Sequence, residues 1–252
     1  MLAEPDVRAA DRIVVTGDIA AGPQPVEVLG PLTELGDRVI RVRGNADRGM
    51  VEFLRTGHLA TPGRDRGLAA RRLRPEQVAL LGGLPESVTL EVGDLAPVLF
   101  CHATPRNDEE VVLVDSRLDR WAEVHAGLDP AVGTVVRGHT HMPFARLAHG
   151  RLVVNPGGVG MPYGRPGAHW ALLGSGVDAA ADHVRHRRRV RPDRGGVGVS
   201  GGGGLARLLR PRPGHRRRGP RGLRAAGRAV VTRPARGTAP GNRITGMRTA
   251  RR

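Results

Sequence analysis

The chain has 252 residues and a formal net charge of +16, with a single cysteine, Cys101, and no lysine. The length suits one domain of ordinary size, alone or with a tail, and one cysteine excludes a disulfide framework and suits a reducing compartment. The first residues carry Glu4, Asp6, Arg8 and Asp11, unlike a signal peptide, and no apolar run reaches the ~18 residues of a membrane span, so the expected location is the cytoplasm.

The charge is unevenly placed. Residues 1–176 hold 19 Arg against 21 Asp and Glu, whereas residues 177–252 hold 21 Arg against 3 Asp. The basic excess therefore belongs to the last third alone. Arginine without lysine points to a GC-rich coding sequence.

In chain order, Arg12 to Thr16 reads as a buried strand ending at Gly17-Asp18. Gly22 to Pro25 is a turn. Val26 to Leu35 has helical spacing, with a break expected at Gly30-Pro31. Val39 to Val42 is a second strand running into Gly44-Asn45, and Arg48 to Arg55 a short helix. Thr61 to Gly67 reads as loop. Pro75 to Leu81 opens a helix with proline, which is favourable at a first turn. Ser87 to Val92 and Pro97 to Cys101 form a hairpin. Leu118 to His125 is helical, with Leu118, Trp121 and Val124 on one face. Four short strands follow: Thr134 to Val136, Phe144 to Leu147, Arg151 to Val154 and Trp170 to Leu173. This alternation, followed by a run of strands, predicts a mixed α/β architecture. After Gly176 the periodicity stops and Arg, Gly and Pro dominate, so residues 177–252 are expected to be a disordered tail behind a domain of residues 1–176.

The chemistry gathers around His139 and His141, one residue apart after the apolar run Thr134 to Val136. In an extended segment residues i and i+2 point the same way, so both imidazoles could enter one site. Three other polar positions also follow β-branched runs: Asp18, Asn45 with Asp47, and His102. Groups at the ends of several strands converge in layered α/β folds. Taken singly, each has an ordinary reading. Asp18 could cap a helix, Asn45 could supply a left-handed turn, and His102 could be a core histidine. His58, His125, His149 and His169 lie outside any motif and read as structural or exposed.

Taken in order, Gly17-Asp18, Gly44-Asn45-Ala46-Asp47, Cys101-His102, Gly138-His139-Thr140-His141 and Asn155-Pro156-Gly157-Gly158 resemble the motifs of calcineurin-like metallophosphoesterases, in their small single-domain bacterial branch. The resemblance covers residues 1–176. It implies a four-layer α/β/β/α sandwich of two mixed sheets, and a site with two divalent metals (Mn, Fe, Zn, Ni or Co) that hydrolyses phosphate mono- or diesters through a metal-bound hydroxide. By this resemblance Asp18 bridges the metals. Asn45, His102 and His139 complete the second site, His141 serves the first, and Asp47 stands where many relatives have a histidine that assists the leaving group. Asn155 to Gly158 would shape the wall.

Two departures from the family pattern follow. The family's first strand ends in Asp-x-His-Gly, and no such pattern precedes Asp18. The first metal would keep only Asp18 and His141, so one ion is expected here, with a strand missing inside a sheet. Leu2-Ala3-Glu4 reads as the end of the helix after that strand. The arginine-rich tail is the second departure. Both are expected if the chain is a misread gene product, started late and continued out of frame. The expected partner is a small phosphoester. The alternatives are a non-specific nucleic-acid binder acting through the tail, whose lack of aromatics argues against base recognition, and a non-catalytic remnant.

Overall fold

A computed structural model describes residues 1–58, 64–93, 95–174, 177–182 and 230–232. Its elements run α1 (Pro5–Ala9), β1 (Arg12–Val15), α2 (Pro25–Glu34), β2 (Val39–Arg41), α3 (Asn45–Thr56), α4 (Arg64–Arg72), α5 (Pro75–Gly82), β3 (Ser87–Leu90), β4 (Val98–Cys101), α6 (Leu118–Val124), β5 (Thr134–Val136), β6 (Phe144–Ala148), β7 (Arg151–Asn155), β8 (Ala168–Leu173), β9 (Val177–Asp182) and β10 (Val230–Thr232). They build the expected mixed α/β structure with two five-stranded sheets, ordered β2-β1-β10-β8-β9 and β3-β4-β5-β7-β6. Strands β1 and β2 are parallel, as are β4, β5 and β7.

Period-two alternation along each strand decides what packs where. Ile13 and Trp170 turn to one side, into a cluster with Val7, Leu29, Met50 and Leu81 of the helices. Their neighbours Val14 and Ala171 turn to the other side and meet Val98, Phe100, Val136 and Val154 of the second sheet. On the far side of that sheet Val153 packs with Trp121 and Val124 of α6. The core is therefore divided between the two sheets, with helices against each outer face. Full burial of such aliphatic and aromatic side chains is worth ~1.5–3 kcal/mol apiece.

The chain departs from the sequence-based expectations in several places, the first being Leu2 to Glu4, which precede helix α1 rather than end a helix. Helix α2 runs unbroken through Pro31. Burial of Leu29 and Leu32 outweighs the local cost of an internal proline. Residues 64–67 are helix rather than loop, because α4 begins at Arg64. Among its described side chains this arginine-rich helix buries small residues such as Ala69 and Ala70, and leaves little apolar stripe to read. Helix α3 starts at Asn45, so a site residue opens its first turn. Finally, two segments of the supposed structureless tail are strands, β9 on the outer edge of β8 and β10 between β1 and β8. The expected gap inside the sheet is thus filled, antiparallel to β1 and parallel to β8. Val230-Val231-Thr232 is the one β-branched triplet after Gly176, and pairing on both sides gives it a sheet position that local sequence does not dictate. The rest of the tail lies outside the described residues.

Candidate metal centre

The strand ends place the site. The chain leaves β1 through Thr16, Gly17 and Asp18, and leaves β2 through Gly44 into Asn45. It leaves β4 at His102 and β5 through Gly138 into His139. The strand ends of the two sheets meet here, and glycine permits the approach. A Cβ on Gly17, where φ is +94°, would lie 2.5 Å from His102 Nδ1 and 2.7 Å from the Gly44 Cα. No larger residue fits that crossing.

Three polar groups converge on His102. Its Nε2 is 3.1 Å from Asn45 Oδ1, 3.5 Å from Asp18 Oδ1 and 3.2 Å from His139 Nδ1. The other nitrogen of each imidazole fixes what these atoms are. His102 Nδ1 lies 2.6 Å from the Thr16 carbonyl, and His139 Nε2 lies 3.0 Å from the Glu109 carbonyl. A carbonyl only accepts, so both of those nitrogens carry the proton. The two facing nitrogens are then lone-pair acceptors in the neutral rings. Burial, and then the neighbouring His102, hold the His139 pKa below the usual imidazole range, which favours the neutral ring.

The His102 lone pair thus meets the His139 lone pair and the Asn45 and Asp18 oxygens, a crowding of acceptors that a cation among them would relieve. Bonds of ~2.0–2.2 Å from nitrogen and oxygen donors would set neighbouring donors of one ion ~3.0–3.5 Å apart, the spacing found around His102. The donor set therefore fits a divalent ion of the borderline class. Among the described residues no three His, Cys, Asp and Glu side chains alone make up an ion-holding group. The case for this site rests on the Asn45 amide joining the two imidazoles and Asp18.

The histidine loop differs in conformation from the extended segment expected. His139 and His141 have φ of +63° and +57°, and the Thr140 N–H bonds back to the Gly138 carbonyl at 2.7 Å. Left-handed backbone is uncommon outside glycine and marks a constrained site. Asn155, almost fully buried, holds this loop by donating from Nδ2 to the Gly138 carbonyl at 2.7 Å and to Thr140 Oγ1 at 3.0 Å. This is the wall-shaping part expected of it. His141 packs against Gly158 and stands apart from the cluster around His102.

The resemblance gives Asp47 either a part in assisting the leaving group or a structural one; in the structure it is fully buried and both its carboxylate oxygens are engaged by backbone. Oδ1 accepts from the Ile19 and Ala20 N–H groups at 2.9 and 3.4 Å, and Oδ2 from the Gly44 N–H at 3.0 Å. This is the reciprocal half of a capping box at the start of α3. It ties the Asp18 loop to the Asn45 helix. Burial, and then the charge of Asp18, push its pKa up to about 6 against the pull of these hydrogen bonds.

Several neighbours lie outside the motifs that the sequence offers. Beside His102 lies a cavity of about 320 Å³ whose lining includes Arg43, Arg48, Thr104, Arg106, Asp108 and Glu109. Burial alone would raise the Asp108 pKa, but the hydrogen bonds and charge of Arg48 outweigh it and hold the carboxylate below its usual range. The sequence signal for them is the acidic triplet Asp108-Glu109-Glu110 a few residues after His102, with arginines at 43 and 48 to meet it.

A family profile described as the calcineurin-like phosphoesterase superfamily domain matches residues 2–175. Among solved structures, a hypothetical protein of Pyrococcus horikoshii aligns with a TM-score of 0.55 at 18% identity, covering 64% of this chain and 69% of its own. A metallophosphoesterase of Sphaerobacter thermophilus aligns with a TM-score of 0.50 at 26% identity, covering 66% of this chain and 74% of its own. No curated protein matches the chain.

Proposed function

The chain belongs to the calcineurin-like phosphoesterase superfamily, and from that membership and its donor cluster we propose that it is a divalent-metal-dependent hydrolase of small phosphate mono- or diesters. One observation carries the reading: His102 and His139 each give their outer N–H to a backbone carbonyl, and their remaining lone pairs face each other where Asn45 and Asp18 also meet His102. Both tautomers are thus set for coordination.

Asp18, Asn45, His102 and His139 would hold one ion, and it is expected to be Mn, Fe, Zn, Ni or Co. A bound divalent ion supplies Lewis-acid stabilisation of phosphoryl oxygens and lowers the pKa of water. The chain's own residues do the rest. Thr16 and Glu109 fix the imidazoles through their carbonyls. Asp47 and Asn155 fix the loops that carry the donors. The cavity beside His102 is open to a phosphoester, and its paired arginines and carboxylates leave it without a strong net charge. No helix among the described residues is long and apolar enough to cross a membrane. The proposed setting is a reducing compartment, the cytoplasm, which suits a chain whose single cysteine is a buried free thiol.

The test is hydrolysis of bis-p-nitrophenyl phosphate and p-nitrophenyl phosphate by the full chain with added Mn²⁺. Metal-stimulated turnover that falls by at least ~10²-fold in His102→Ala supports the proposal, in line with loss of a metal-assisted step. Turnover equal in the presence of chelator and of Mn²⁺ would contradict it.

A further inference from the structure

His139 owes its orientation to a carbonyl on a loop, and the Arg48 guanidinium ties that loop to α3. Arg48 sits on α3 three residues after the donor Asn45. Its Nε and Nη2 grip Asp108 in a bidentate pair at 2.8 and 2.9 Å, and Nη2 also meets Glu109 Oε1 at 2.8 Å. The main chain of that same Glu109 accepts the His139 Nε2–H. The loop has further ties at Glu110, whose side chain meets Arg120 of α6 at 3.1 Å and whose carbonyl accepts from Arg137 at 3.5 Å, and it has hydrogen bonds of its own. Asn107 Oδ1 accepts from the N–H groups of Glu109 and Glu110 at 2.6 and 3.0 Å. The Thr104 N–H bonds to the Asn107 carbonyl at 2.9 Å. These contacts shape the loop but do not fix it to α3. Arg43 adds a weaker ion pair to Asp108 at 3.9 Å.

We propose that Arg48 is a positioning residue for the metal centre. Through Asp108 and Glu109 it locks the Nε2–H tautomer and the ring direction of His139, and it couples that donor to the helix that begins with Asn45. The physical basis is that the hydrogen bond on one imidazole nitrogen selects which nitrogen is free, and that such outer partners tune metal affinity. A bidentate guanidinium–carboxylate pair fixes geometry as well as charge. A lysine, with a point charge and no fork, would restore only part of it. The inference rests on the metal-site reading, but its first consequence, the His139 tautomer, needs no metal.

The experiment uses the full chain and Arg48→Met, which keeps the aliphatic stem, with Arg48→Lys and Asp108→Asn as companions. In metal-free protein, ¹⁵N–¹H correlation of the imidazoles should show His139 as a single Nε2–H tautomer, and Arg48→Met should turn it into an exchanging mixture. Titration with Co²⁺, followed by its visible absorption, should show affinity falling by ~10–100-fold in Arg48→Met with stoichiometry unchanged, and an intermediate value for Arg48→Lys. If Arg48→Met does not fold, Asp108→Asn breaks the same tie from the other end. An unaltered His139 tautomer in the folded variant would overturn the inference. A tautomer change in a chain that takes up no Co²⁺ would uphold the Arg48 tie and refute the metal-site reading.

Discussion

A Cβ added to Gly44 would lie 2.2 Å from the Asp18 backbone nitrogen and 2.3 Å from its Oδ1. Real side chains do not tolerate such contacts, and the obstructing atoms belong to a donor and its backbone rather than to a flexible side-chain end. Gly44→Ala is therefore expected to lower stability by ~1–3 kcal/mol and to weaken Mn²⁺ uptake at once. Gly22→Ala, with open space around its Cβ, should do neither. Thermal melts and equilibrium dialysis check both; equal melting temperatures for the two variants would contradict the packing argument. A second residue-scale expectation concerns His125, far from the metal donors in the α6 cluster. It is buried beside Trp121, its Nδ1 has no hydrogen-bond partner among the described residues, and burial, then Arg151, Arg137 and His149, push its pKa down to about 4. The unfolded chain takes up the proton first, near the ordinary value of 6.5. The stability this group contributes is thus present above that value and lost as pH falls toward 4. Melting temperature should drop between pH 7 and pH 4, and His125→Phe should flatten that slope; an unchanged slope would count against it.

At the scale of elements, β10 carries the most consequence for its length. Val231 pairs with Ile13 of β1 on one side and with Leu172 of β8 on the other. Without it both strands would present unpaired backbone groups inside a sheet. Proline at a central strand position removes a ladder donor and is tolerated essentially only at edges. Val231→Pro should therefore destabilise the fold by ~3 kcal/mol, read as a lowered urea midpoint. A wild-type midpoint would mean that the sheet does not need β10.

Element legibility followed the physics of each segment. β1, β2 and β5 announce themselves as β-branched runs and β4 as an apolar one, and their ends carry the motifs, so the proposed donors Asp18, Asn45, His102 and His139 are legible in the residue order itself. α4 is not, since it buries alanines and shows no apolar stripe. Nor is β10, since three residues gain a strand's conformation only from partners far away in sequence. The left-handed backbone of His139 and His141 replaces the expected extended geometry. Motif order reports which residues meet, not the conformation that brings them together. Arg48 and its acidic partners stay hidden for the same reason: their ion pair joins residues about sixty positions apart.

For the whole molecule, two sheets brought face to face by one shared core set the strand ends against each other, and everything proposed for function depends on that meeting. Each sheet supplies two of the proposed donors: Asp18 and Asn45 from one, His102 and His139 from the other. A metal held between them would also clamp the sheets, so binding should raise the melting temperature by mass action on the native state. His102→Ala should abolish that gain. The most direct measurement is the metal content of the full chain after equilibrium dialysis against Mn²⁺ or Zn²⁺, alongside His102→Ala and His139→Ala. The account predicts about one ion per chain, the number one four-donor site supports, and its loss in both variants. Wild-type protein that retains no ion, or variants that retain as much as the wild type, would contradict it.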